Sequence, residues 1–311
     1  MRFKVVVNQE QDHPVVHLTD TQTGCAAEIF VFGGLLNAFL IPLNGSLFNC
    51  IDGFNSVKEA KENITTAFKS AKISPFVCRL QNGQYHYDGQ SYTIRKNYLG
   101  NHALHGLIYD AVYELGTITE TEEAAAITMT HQYQSNDPGY PFGYTISLCW
   151  ELRPNNYLSI TTSIMHSNSN PIPYADGWHP YFTLGGPVDQ YQLQFDADTQ
   201  LEFDADLIPT GNKIKDERFL QKQSLENIFL DNSFELAPNG KCVLSNQHLQ
   251  LDVVPDEHYP ILQVYTPEHR KSIAIENLSG APDNFNKGIG LLMLLPNKQY
   301  QFRTSYQLTQ L

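Results

Sequence analysis

Three short segments of this 311-residue chain carry groups able to move protons. In Asn101-His102-Ala103-Leu104-His105-Gly106, two histidines precede a glycine that would let a ligand approach the backbone closely. The segment Asp176-Gly177-Trp178-His179-Pro180-Tyr181-Phe182 packs a carboxylate, an imidazole and three aromatic rings into seven residues. Aromatic faces stack on the C–H faces of a pyranose while imidazole and carboxylate satisfy its hydroxyls, so Asp176, Trp178 and His179 are candidates for carbohydrate contact. The same cluster also reads as an aromatic core with one satisfied histidine. In Ile273-Ala274-Ile275-Glu276-Asn277 a carboxylate ends a short apolar run. Acidic side chains seldom enter a core unpaired, so Glu276 belongs either at the mouth of a pocket or at a strand end on the surface.

Other chemistries find no support. Two histidines and a glutamate could hold zinc, but there is no His-Glu-x-x-His pattern, so no metal site is expected. No Gly-rich phosphate cradle follows a strand and no Gly-x-Ser-x-Gly elbow is present, which argues against nucleotide cofactors and serine-hydrolase chemistry. Twenty Lys and Arg against 33 Asp and Glu give a net charge of −13, a field that repels nucleic acid and anionic membranes. No stretch approaches the roughly 18 apolar residues that span a bilayer, and the first residues turn polar at Asn8 before a signal-peptide core could form. A cytoplasmic location is expected. The five cysteines, Cys25, Cys50, Cys78, Cys149 and Cys242, contain no Cys-x-x-Cys pair and read as small buried residues.

The elements that must position these groups are strands. Tyr144, Ile146, Leu148, Trp150 and Leu152 alternate with more polar residues, Pro154-Asn155-Asn156 turns the chain, and Leu158, Ile160, Thr162 and Ile164 alternate again. This is an antiparallel hairpin. Asp88-Gly89, between Tyr85-x-Tyr87 and Tyr92-x-Ile94, predicts a second one. Ile289 to Leu295, Pro296-Asn297 and the alternating run from Tyr300 to Leu308 predict a third. Helical signal is confined to Ser56-x-x-Glu59, whose capping-box spacing predicts one short surface helix. Strands from end to end without a Gly-, Ser- or Pro-rich linker predict a single all-β antiparallel domain over residues 1–311.

Taken in order, the motifs resemble the aldose 1-epimerase (galactose mutarotase-like) family. Arg79-Leu80-Gln81-Asn82-Gly83-Gln84-Tyr85 through Leu104-His105-Gly106 resembles the family's arginine strand and Leu-His-Gly segment. His179-Pro180-Tyr181-Phe182-Thr183-Leu184 resembles its His-x-Tyr-Phe-x-Leu motif, and Asp231-Asn232-Ser233-Phe234 its Asp-x-x-Phe element. Tyr265-Thr266-Pro267 through Glu276 to Pro282-Asp283-Asn284-Phe285-Asn286 resembles the segment bearing its glutamate. The resemblance implies an antiparallel β-supersandwich that interconverts the α and β anomers of a free aldose, a hexose or related sugar, by ring opening and closure, with no cofactor. It implies Glu276 as general base, His179 as general acid and His105 as a second histidine at the ring oxygen, with Arg79 and Asp231 binding hydroxyls. Cys78 and Trp178 stand where many members have Asn, which bears on the substrate. On unperturbed values Glu276 would be ionised, and His179 would be held protonated by a neighbouring carboxylate, with the two on opposite sides of the reacting bond. A non-catalytic carbohydrate-binding protein, and a lyase or glycoside hydrolase with Asp176 or Asp231 as second carboxylate, remain as alternatives.

Overall fold

In the computed structural model, which describes residues 1–10 and 13–311, strands run along the whole chain. The alternation in Tyr144–Arg153 buries Tyr144, Ile146, Leu148, Trp150 and Leu152, and the strand pairs with Tyr157–Met165 as the sequence predicts, Leu152 lying opposite Leu158. Both lie in a nine-stranded antiparallel sheet, in the order Glu114–Glu120, Ala125–Tyr133, Tyr144–Arg153, Tyr157–Met165, Tyr300–Gln310, Leu249–Pro255, Cys242–Ser245, Gln192–Phe195, Gln223–Ser224. Against it packs an eight-stranded sheet, in the order Pro209–Lys215, Thr199–Phe203, Asp231–Glu235, Ile261–Tyr265, Ile273–Leu278, Gly177–His179, Ala71–Ile73, with Tyr181–Phe182 also pairing to Ile273–Leu278. The first 49 residues supply a five-stranded meander.

One transverse row of the nine-stranded sheet carries two of the contacts that join the large sheets. Ile127, Trp150, Ile160 and Thr304 lie opposite one another across four strands of the nine-stranded sheet. From that row the Trp150 ring meets Trp178 at 5.5 Å, and Thr304 Oγ1 donates to Asn277 Oδ1 at 2.6 Å. Because successive side chains on a strand point to opposite faces, Trp178 and Asn277 belong to the inner face while His179 and Glu276 belong to the outer one. Asp176 shares the parity of Trp178. Its carboxylate is fully buried between the sheets, paired with the buried Lys72 ammonium, and accepts from Tyr259 OH at 2.6 Å and Tyr174 OH at 2.8 Å. Lys72 also donates to Thr162 Oγ1 at 3.2 Å and lies over the Trp178 ring, and its burial lowers its pKa to about 8. Asp176 and Trp178 were expected at a sugar; strand parity places both between the sheets instead.

The helix over Val57–Ala67 starts where the capping box predicts, with Ser56 Oγ accepting from Glu59 N–H at 3.1 Å. Glu59 in turn accepts from Asn55 N–H, one residue ahead of the cap. A second helix, Asn284–Lys287, was not predicted; at four residues it is about one turn, too short to show periodicity. The Asp88-Gly89 hairpin forms with both turn residues at positive φ. The C-terminal hairpin does not. Asn297 turns the chain with φ 58°, but Leu292–Leu294 pairs with Ile172–Tyr174, whereas Tyr300–Gln310 enters the nine-stranded sheet between Tyr157–Met165 and Leu249–Pro255. Four cysteines are buried and Cys149 is partly exposed. No helix among the described residues is long and apolar enough to cross a membrane.

Removing one partner of a buried, hydrogen-bonded ion pair leaves the other charge uncompensated. Asp176→Ala is therefore expected to cost about 3–5 kcal/mol in urea unfolding, and a loss below about 1 kcal/mol, typical of a surface pair, would contradict the inter-sheet role.

Candidate active site

The outer face of the eight-stranded sheet forms the floor of a cavity of about 650 Å³. Adjacent strands set its residues by register: Gln263 lies opposite Glu276, and Asp231 opposite Tyr265. On the other side of Ile273–Leu278, Gly177 pairs with Leu278 and Tyr181 with Ala274, a register that brings His179 beside Glu276. Glu276 Oε1 is 3.4 Å from His179 Nε2, and the residues are 2% and 5% exposed.

The wall above this floor comes from a three-stranded sheet of Tyr98–Leu99, His102–Leu104 and Arg79–Leu80. His105 follows its middle strand with a left-handed backbone, φ 59°, and its N–H donates to the Cys78 carbonyl at 2.9 Å. The imidazole meets His179 edge-on, with centroids 4.9 Å apart at 88°. Gly106 is needed here, but not for a ligand: at φ 75° a Cβ would lie 2.2 Å from the Ser74 carbonyl oxygen, so the close approach is made by the protein's own backbone. His102, the other histidine of that motif, is outside the cavity lining and accepts from Asn82 N–H through Nδ1.

Arg79 lines the cavity, and among the described residues its guanidinium makes no hydrogen bond or ion pair with protein. Asp231 Oδ1 accepts from Gln263 Nε2 at 2.7 Å, and Gln263 Oε1 accepts from Ser233 Oγ. Sequence reasoning missed Gln263; its signal was a polar residue in the apolar run Ile261-Leu262-Gln263-Val264-Tyr265. Thus Glu276, His179, His105, Arg79 and Asp231 converge, whereas Asp176 and Trp178 lie behind the floor. Of the two positions set against the family's Asn, Cys78 touches the cavity and Trp178 does not. Burial raises the Cys78 thiol well above its usual range, which removes it as a thiolate nucleophile at neutral pH. Among the described residues no group of three or more His, Cys, Asp or Glu has the arrangement of a metal site.

Burial dominates the electrostatics. It raises the Glu276 carboxyl well above the ordinary range, helped by the charge of Asp231, and lowers His179 to about 4. His105 is lowered well below its ordinary value, first by burial and then by His179 and Arg79. Both shifts run against the expectation of an ionised Glu276 beside a protonated His179, because burial favours the uncharged form of each. Glu276 Oε2, His179 Nδ1 and His105 Nδ1 are buried without a hydrogen-bond partner among the described residues. All three residues line the one cavity, so its lining holds buried polar atoms that the protein itself leaves unpaired.

A carboxyl whose folded-state pKa is raised binds its proton more tightly in the native state, so stability is lost as pH rises from the unfolded value through the folded one. Glu276→Gln removes that loss. The variant's Tm is expected to exceed wild type by more at about pH 8 than at about pH 4, and a difference independent of pH would contradict a raised Glu276.

The family model for aldose 1-epimerase matches residues 14–307. The uncharacterised protein YihR of Escherichia coli K12 is 28% identical over 251 residues, 77% of this chain and 79% of its own length. The aldose 1-epimerase of Streptococcus thermophilus is 28% identical over 201 residues, 63% of this chain and 56% of that protein. Among solved structures, galactose 1-epimerase from Lactobacillus acidophilus NCFM superimposes with a TM-score of 0.84 at 19% identity, covering 100% of this chain and 99% of that one. A GalM/aldose epimerase homologue from C. elegans gives 0.82 at 19% identity over 99% of both chains. The structural likeness gives the fold, which is galactose mutarotase-like, and the match over residues 14–307 gives the family: the chain belongs to the aldose 1-epimerase family.

Proposed function

We propose that the protein interconverts the α and β anomers of a free aldose by general acid–base ring opening, with residues 1–311 acting as one domain. The observation that carries this reading is the contact between Glu276 and His179, 3.4 Å apart on the floor of the cavity with orphaned polar atoms on both. The hydroxyl oxygen O1 and the ring oxygen O5 are both bonded to C1, so neighbouring acid and base groups can reach both.

The bound sugar's hydroxyls supply hydrogen bonds to the carboxylate, which favours transfer of the shared proton from Glu276 to His179. Glu276 then accepts the proton of the C1 hydroxyl while His179 donates to O5. The C1–O5 bond breaks as the C1–O1 bond becomes a carbonyl. Rotation about C1–C2 presents the other face of the aldehyde, and the reverse steps close the ring, leaving the pair with its single proton. Arg79 and Asp231 hold hydroxyls, and neutral His105 places a hydrogen bond at the ring oxygen. Of the two carboxylates that a hydrolase would have paired with Glu276, Asp176 lies between the sheets and only Asp231 lines the cavity.

Polarimetry or NMR anomer exchange on freshly dissolved α-D-galactose and α-D-glucose tests the reading. Equilibration faster than buffer is expected, and a protein that binds sugar without accelerating exchange would be the carbohydrate-binding alternative. Glu276→Gln and His179→Asn are each expected to lower kcat by about 10²- to 10⁴-fold, with sugar binding to Glu276→Gln still detectable; activity within about tenfold of wild type would remove that residue from proton transfer.

The rate should follow the one-proton form of the pair. A bell-shaped kcat/KM profile is expected, with an acid limb where His179 takes a second proton near pH 4 and an alkaline limb where the shared proton leaves. His105→Asn should lower the rate and keep both limbs; loss of the alkaline limb in that variant would assign the proton donor to His105.

A further inference from the structure

Residues 68–70, between the helix Val57–Ala67 and the strand Ala71–Ile73, have no part in the mechanism above, yet they reach both histidines. The backbone is left-handed at Phe68, with φ 53° and ψ 34°, and again at Ser70, with φ 53°. Neither is glycine, and a bulky residue stays in that region only where its surroundings impose it. Those surroundings are identifiable. Phe68 N–H donates to the Ile64 carbonyl at 2.8 Å, Lys69 Nζ donates to Asp52 Oδ1 at 2.6 Å, and Ser70 N–H donates to the His179 carbonyl at 2.9 Å. The other Asp52 oxygen accepts from Ser272 Oγ at 2.7 Å, next to the strand that carries Glu276.

The turn delivers the Phe68 ring onto the His105 imidazole, with centroids 4.6 Å apart at 57°, and braces it edge-on against Tyr109 at 5.1 Å. An imidazole is usually oriented by a hydrogen bond to its second nitrogen. His105 Nδ1 has no such partner among the described residues, so its attitude is set by ring contacts, Phe68 on one side and His179 on another.

We propose that Phe68 is a positioning residue for the reaction: held by the left-handed turn at the helix end, its ring fixes His105 edge-on to His179. This rests on the role given to His105 under Proposed function. The test is a double-mutant cycle read by anomer exchange. Phe68→Leu keeps apolar bulk without the ring face and is expected to lower kcat about tenfold or more with little change in KM, since small misplacement of an acting group is costly to rate. Phe68→Tyr should restore it. In a His105→Asn background Phe68→Leu should have no further effect.

A merely structural Phe68 would lower the rate equally in both backgrounds, or not at all, and either result overturns the proposal. Phe68→Met, run through the same cycle, serves where Phe68→Leu does not fold, and ring NMR signals of His105 that stay unchanged in a folded Phe68 variant would also overturn it. Wild-type exchange in the same assay separates the two readings. An inactive wild type contradicts the proposed function, whereas an active wild type with additive variants contradicts only the role of Phe68.

Discussion

Burial penalises the charged form of a carboxyl and of an imidazole alike. In this protein it raises the Glu276 carboxyl and lowers His179, favouring the uncharged form of two groups that stand 3.4 Å apart. An uncharged form is the less costly one to bury, and the proposed reaction needs only a proton that can move between an acid and a base. Around the pair, Arg79 and Asp231 line the same cavity, where the proposed reading has them hold hydroxyls, and His105 meets the edge of His179.

Such a pair works only if the strands that carry it cannot slip, because a shift of one residue would turn Glu276 and His179 inward. Their inner-face neighbours resist that. Trp178 is packed on Trp150, Asn277 accepts from Thr304, and Asp176 is held by Lys72, Tyr174 and Tyr259. Asp176 and Ser279 also tie the two strands' ends together, with Asp176 N–H donating to Ser279 Oγ and Ser279 N–H to the Asp176 carbonyl, both at 2.8 Å. The sheet therefore has a polar working face and an anchored back, and every second residue serves one or the other.

That division explains what could be read from the sequence. Local signals were sound where the physics is local: the Tyr144–Arg153 alternation, the Asp88-Gly89 turn and the Ser56 cap all appear where their residues place them. Glu276, His179, His105, Arg79 and Asp231 were legible through motifs, and the structure brings them to one cavity. Asp176 and Trp178 were grouped with His179 because they are close in sequence, although a period of two already assigns them to the other face. Partner choice was not legible. Alternation marks Tyr300–Gln310 as a strand but says nothing about its insertion between Tyr157–Met165 and Leu249–Pro255. Protonation was likewise invisible, since burial on this scale depends on residues such as Phe68 and Cys78 that are remote in sequence from Glu276 and His179.

The location of the shared proton is the central claim, and carbon and nitrogen NMR of the Glu276 carboxyl and the His179 ring, assigned through the Glu276→Gln and His179→Asn spectra, measures it directly. The account predicts that the Glu276 carboxyl stays protonated as pH is raised past the ordinary carboxyl range, and that the His179 ring stays neutral until pH falls to about 4. A Glu276 carboxyl that ionises in the ordinary range beside an imidazolium that persists to neutral pH would contradict it.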